Sequence, residues 1–211
     1  VCRLIQTEGY YVNGVGNTPI DAQHAASSLT AITGYPVTAL YNATSSPDRI
    51  VQTVTTAAQC GVFAPLYLMN RYGQIQDQKG WYAFKLANLV ARRLSQHPNQ
   101  AVALFGHSQG AHIVARAYQM LHPSLQQRVR PLTFGGMVEA ERGKNFHHRR
   151  DVVAQGARLW TGSATRGTPI DSRVCVTRFC HGTADYFKDA HVAAAARKAM
   201  LPTLEKCRFS Y

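Results

Sequence analysis

The sequence predicts an α/β protein, a three-layer α/β/α sandwich built on a mostly parallel sheet. Three observations predict it. Strand-like and helix-like segments alternate along the 211 residues. A β-α-β unit is legible near the start, with a strand at 10–12, a helix from Thr18 and a strand at 36–41, and such a unit requires a parallel pair. Finally, a short apolar run at 101–105 passes through Gly106-His107-Ser108-Gln109-Gly110 directly into a helix-period segment, 109–121. An unbroken apolar run of that length reads as a strand buried on both faces.

The elements follow in order. After the first strand, Asn13-Gly14-Val15-Gly16-Asn17 is a turn. Thr18 can cap a helix, Pro19 suits its first position, and Asp21 in the first turn complements its dipole. The helix runs to about Ile32, with Gly34 past its end and Pro36 preventing continuation. Residues 42–48 are a loop and 49–59 a helix. The apolar stretch 62–69, interrupted by Pro65, reads as core or as a flap over a substrate pocket, core packing being preferred. A helix over 77–95 sets Trp81, Phe84, Leu86, Leu89, Val90 and Leu94 on one broad face. Past the 109–121 helix, Pro123 makes a stop. A fourth strand at 130–134 is closed by Gly135-Gly136, and a short fifth at 145–148 ends at Arg149-Arg150-Asp151. Residues 157–167 form a loop, 173–180 alternate as a last strand, and 189–200 are an Ala-rich final helix.

Composition bounds the function. A hydrophobic fraction of 45% and a charged fraction of 16% suit an ordinary globular protein, expected here as one domain over 1–211. No apolar run is long enough to span a bilayer. The first residues lack both an initiator Met and the layout of a signal peptide, so the chain reads as a processed product or excised fragment. The net charge of +12 invites acidic partners. No nucleic-acid motif accompanies it, so the expectation is no nucleic acid, with an anionic lipid surface as the partner the charge admits. The cysteines are Cys2, Cys60, Cys175, Cys180 and Cys207, an odd number that leaves at least one free or paired between chains. On one continuous strand, Cys175 and Cys180 would face opposite sides and not bridge. Neither compartment nor oligomeric state follows.

The chemistry gathers at Gly106-His107-Ser108-Gln109-Gly110, a G-x-S-x-G between strand and helix. In that setting it reads as a nucleophile elbow, and the competing reading is a Gly-rich turn with an ordinary capping serine. The elbow strains the backbone at Ser108 and brings strand and helix so close that side chains at 106 and 110 would clash. Ser108 needs a base, and the base an orienting acid. Behind a nucleophile elbow the acid and then the histidine follow in chain order. Asp151 is the preferred acid, because it follows a short strand; its bland reading is an ion pair with Arg149 or Arg150. Asp171 is the runner-up, and Glu139 and Glu141 are less well placed. For the base, His181 directly follows the last strand and His191 opens the final helix, which Asp189 can cap. His107 and His112 break the order. His147 and His148 point apart on a strand and complete no metal site, so no metal or cofactor is called for. One oxyanion N–H is expected from Gln109, the other from the Asn13–Gly16 turn, at Val15.

Together these residues resemble the α/β-hydrolase superfamily. The elbow Gly-His-Ser-Gln-Gly-Ala is similar to that of small esterases and cutinases. Thr133-Phe134-Gly135, then Arg149-Arg150-Asp151-Val152-Val153, resembles the lipase pattern T-F-G then R-x-D-x-V, which implies Asp151 as triad acid. The opening Tyr-Val-Asn-Gly-Val-Gly-Asn-Thr, with Val-Thr-Ala-Leu-Tyr-Asn-Ala-Thr, is also similar to an uncharacterised chlamydial hydrolase-like group. There an Asp-His pair precedes the last helix, which favours His191 as the base; here the pair reads Asp189-Ala190-His191, a departure of one inserted residue. The resemblance implies a compact α/β-hydrolase fold without the first strands of the full fold, and a serine hydrolase of carboxylic esters. Ser108 would attack, His191 take the proton, Asp151 hold the imidazole, and Gln109 with Val15 bind the oxyanion. A thioesterase or acyltransferase would use the same residues, and a non-catalytic binding module would keep only the fold.

Overall fold

The computed structural model describes residues 4–14, 17–43, 64–136, 143–149, 151, 168–170 and 182–204, with the backbone alone for 64–79 and 203–204. The strands are β1 (Leu4–Val12), β2 (Val37–Leu40), β3 (Gln100–His107), β4 (Val129–Phe134), β5 (Lys144–His148), β6 (Thr168–Ile170) and β7 (Thr203–Leu204). The helices are α1 (Pro19–Thr33), α2 (Ala64–Gln96), α3 (Gln109–Met120), α4 (Pro123–Gln126), α5 (Thr183–Phe187) and α6 (Ala190–Met200). One sheet runs in the order β2-β1-β3-β4-β5-β6. Its neighbours are all parallel, and β7 adds an antiparallel pair on β1 at Leu4↔Leu204 and Ile5↔Thr203.

Alternation along the central strands builds the three layers. Tyr10, Val12, Val102 and Leu104 face α2 and α3, and pack with Leu86, Val90, Ile113 and Tyr118. Their neighbours Tyr11, Ala103 and Phe105 face the other way, and pack with Ala22, Ala26, Leu29, Val192 and Met200 of α1 and α6. A period of two on strands buried on both faces is what divides one apolar run between two cores.

Helix α1 begins as its sequence predicts. Thr18 accepts from the Asp21 N–H, the Asp21 carboxylate accepts from the Thr18 N–H, and Gly34 ends the helix in the left-handed region at φ 74°. The Thr18 backbone bond holds the Asp21 carboxyl below its usual range. Helix α6 is likewise capped at Asp189, which accepts from the His191 and Val192 N–H groups.

Elsewhere the structure corrects the pattern. Strand β1 starts at Leu4 and not at Tyr10: Gln6, Thr7 and Glu8 are polar, but pairing with β3 carries them in the sheet. Helix α2 starts at Ala64, ahead of the predicted 77, and Pro65 is tolerated because a first-turn N–H has no helical partner. Its buried stripe is Ala83, Leu86, Ala87, Val90 and Leu94, whereas Trp81 and Phe84 are 53% and 58% exposed. The Lys85 ammonium lies 3.5 Å over the Trp81 ring. Pro123 opens α4, capped by His122, as well as stopping α3. Four short elements were not predicted: α4, β6, α5 and β7. The helix at 49–59, the loop at 157–167, the strand at 173–180 and all five cysteines lie outside the described residues.

Candidate active site

The parallel strands end together, and the candidate groups gather at that edge. Ser108 follows β3 at φ 53° and ψ −118°. Among the described residues it is the one non-glycine with positive φ. Its hydroxyl makes no capping bond to α3, which removes the capping-serine reading. A non-glycine residue in this region costs about 1–3 kcal/mol, and no capping bond to α3 offsets that at Ser108. The strain is locked from several sides. The Ser108 N–H donates to Phe134 O at 2.8 Å, tying the elbow to the end of β4. A Cβ on Gly106 would lie 2.6 Å from Gly110 O, and one on Gly110 only 2.1 Å from Val12 O. A Cβ on Gly14 would lie 2.8 Å from Ser108 Cβ, so the turn after β1 is packed against the serine.

A buried amide network ties this turn to the start of α3. Asn13, Asn42 and Gln109 are all buried. The Asn42 N–H donates to Asn13 Oδ1 at 2.7 Å, and Asn42 Nδ2 donates to Asn13 O at 3.3 Å and Gln109 Oε1 at 3.0 Å. Asn13 Nδ2 donates in turn to Gly14 O and Asn42 O. The side chain of Gln109, a predicted oxyanion residue, is thus fixed from β2. Val15, the other one, lies outside the described residues. The pairing of Asn13 with Asn42 was not legible in the sequence, since it spans 29 positions of chain. Asn42→Ala is expected to cost about 2–4 kcal/mol, because it strips the side-chain donor from two buried acceptors. Equilibrium urea unfolding checks this, and a loss below about 0.5 kcal/mol would mean the network carries no stability.

Asp151 lies past the end of β5 and is fully buried, its N–H donating to His148 O at 3.0 Å. Its carboxylate accepts from Tyr186 Oη at 2.5 Å, so α5 closes over it. A surface ion pair does not describe a carboxylate so placed. Asp171, Glu139 and Glu141 lie outside the described residues, as does His181. The His191 ring is exposed on the first turn of α6, and among the described residues it makes no hydrogen bond. His107 is buried beneath the elbow, its ring 5.9 Å from that of Tyr186. An open cavity of about 450 Å³ lies beside it, between α1 and α5, edged by Asp21, His24, Thr183 and Lys188. No group of three metal-ligating side chains occurs among the described residues, and no helix there is long and apolar enough to cross a membrane.

The architecture has counterparts among solved structures. A Trichoderma reesei cutinase, solved with a phosphonate inhibitor, superposes over 94% of this chain and 77% of its own, at 17% identity and a TM-score of 0.51. The chain has an α/β-hydrolase fold. A candidate hydrolase of the α/β superfamily from Xanthomonas campestris pv. campestris agrees, with 90% of this chain and 96% of that one covered, at 12% identity and a TM-score of 0.50. No protein-family model and no curated protein matches the chain. Within this hydrolase fold, Ser108 and Asp151 stand at the ends of β3 and β5, with β4 between them.

Proposed function

We propose that the chain is a serine hydrolase of carboxylic esters. The observation that carries this is Ser108 itself, held at positive φ at the sheet edge with its hydroxyl spared from helix capping. Ser108 attacks the acyl carbon. A histidine takes the proton and later gives it to the leaving alkoxide, Asp151 orients that histidine, and water cleaves the acyl-enzyme. The N–H groups of Gln109 and Val15 receive the oxyanion, aided by the α3 N-terminus. No cofactor enters the scheme. A thioesterase or acyltransferase would share every group, and a binding module would share the fold alone. Fluorophosphonate labelling localised to Ser108 by mass spectrometry, with turnover of p-nitrophenyl butyrate, is the expected result. Neither labelling nor turnover would leave the binding module.

For the base, chain order admits His181 and His191, and the sequence alone favours His191. The exposure of the His191 ring and its lack of a bond to Ser108 or Asp151 weigh against it. His181 precedes Gly182, the N-cap of the helix whose Tyr186 bonds Asp151. We therefore assign the base to His181. His181→Ala is expected to lower kcat by about 10⁴-fold or more, and His191→Ala by less than about tenfold. The reverse order would return the role to His191.

A further inference from the structure

We propose that Tyr186 is a positioning residue that fixes the Asp151 carboxylate through its hydroxyl and thereby sets the orientation of the catalytic base. The proposal rests on Asp151 being the acid of the site, and its test separates the two.

Tyr186 is fully buried on α5. Its ring is wedged between His107, 5.9 Å away and edge-on, and Phe134, 6.1 Å away. Its hydroxyl donates to Asp151 Oδ2 at 2.5 Å and accepts from the His148 N–H at 3.4 Å. The short helix that carries it is itself pinned, with the Gly182 N–H donating to Asp185 Oδ2 and the Asp185 N–H to Gly182 O. The donor thus has neither ring nor backbone freedom to follow a wandering carboxylate.

A carboxylate wholly removed from water stays ionised only where donors replace its hydration, and a bond from a neutral O–H to a charged oxygen is among the stronger ones. Fixing Oδ2 also fixes the carboxylate plane, and with it the direction in which Oδ1 can meet an imidazole N–H. The phenol is a dependable donor. Burial first, and then the Asp151 carboxylate, push its pKa above the ordinary tyrosine value, so it keeps its proton over the working range. Among the described residues, the titratable groups around this pair are His107 on β3, His148 on β5 and Asp185 on α5.

Tyr186→Phe keeps the ring packing and removes only the hydroxyl. The expected result on p-nitrophenyl butyrate is a fall in kcat of about tenfold with KM within about twofold, as for a group that acts in the transition state. The acid limb of the kcat/KM profile is expected to move to higher pH by about half a unit or more. The sign follows from both routes open to a carboxylate without this donor: it holds a proton more readily, or it offers more charge to the imidazolium. In an Asp151→Asn background, Tyr186→Phe should change kcat little, because its route of action is gone. Replacing Tyr186 by 4-aminophenylalanine leaves a weaker donor, so a smaller shift in the same direction is expected whether or not the Phe variant accumulates. An unmoved acid limb and unchanged kcat, with only a lowered unfolding midpoint, would make Tyr186 a packing residue and overturn the proposal. Full activity in Asp151→Asn would remove Asp151 as the acid, and the proposal with it.

Discussion

Ser108→Ala is expected to lower ester turnover by about 10⁴-fold or more and to abolish fluorophosphonate labelling, while the fold survives. The size of the effect follows from the chemistry: no second hydroxyl stands at the elbow, since Gly106, His107, Gln109 and Gly110 surround Ser108. The survival of the fold follows from the geometry. The Ser108 hydroxyl makes no capping bond, and its N–H, which does bond to Phe134 O, is retained. Alanine inherits the same strained φ of 53°, so the unfolding midpoint should hardly move. Ser108→Gly should be equally inactive but more stable, by about 1 kcal/mol, because glycine adopts that conformation without the Cβ penalty. Circular-dichroism melts of the two variants beside wild type would show this. Retained turnover in either variant would displace Ser108 as nucleophile.

Gly110→Ala is expected to be severely destabilising, since its Cβ would make the shortest backbone contact found for a glycine among the described residues. Its Cβ would fall 2.1 Å from Val12 O and 2.7 Å from Asn13 O, both backbone atoms of β1 and its turn. No side chain can rotate away, so α3 must lift from the sheet or the end of β1 must bend. Either response also disturbs the Asn13–Asn42–Gln109 network. A loss above about 4 kcal/mol is expected, which belongs to the severe class of overpacking effects. At about 2–4 °C per kcal/mol for a chain of this size, the midpoint should drop by roughly 10 °C or more. Gly80→Ala is the control. It lies in α2, its Cβ would come no nearer than 3.7 Å to the Arg116 side chain, and a helix interior favours alanine over glycine by about 1 kcal/mol. Opposite signs for the two substitutions in one urea series would confirm that close approach, and not glycine content, governs the elbow. A Gly110→Ala midpoint within about 2 °C of wild type would contradict it.

The features legible in the chain were those whose cause lies within a few residues. Thr18, Pro19 and Asp21 state the start of α1, and Asp189 states that of α6, because a cap is satisfied by backbone groups two or three positions on. The alternation of strands and helices stated a mostly parallel three-layer sheet, because a parallel pair requires a crossover. Gly106, Ser108 and Gly110 stated the elbow for the same local reason, and the φ of Ser108 agrees. What tertiary structure decided was partnership across the chain. Whether Trp81 and Phe84 met the core depended on how α2 rotates against α3, and they face outward. That β6 pairs with β5, and β7 with β1, came from the neighbouring strands and not from periods in three- and two-residue segments. Asn42 bonds Gln109 across 67 positions and Tyr186 bonds Asp151 across 35, and no residue near either in sequence announces its partner. Hydrogen-bond chemistry says that a buried amide, phenol or carboxylate must find a partner, but only the juxtaposition of segments by the sheet says which one it finds.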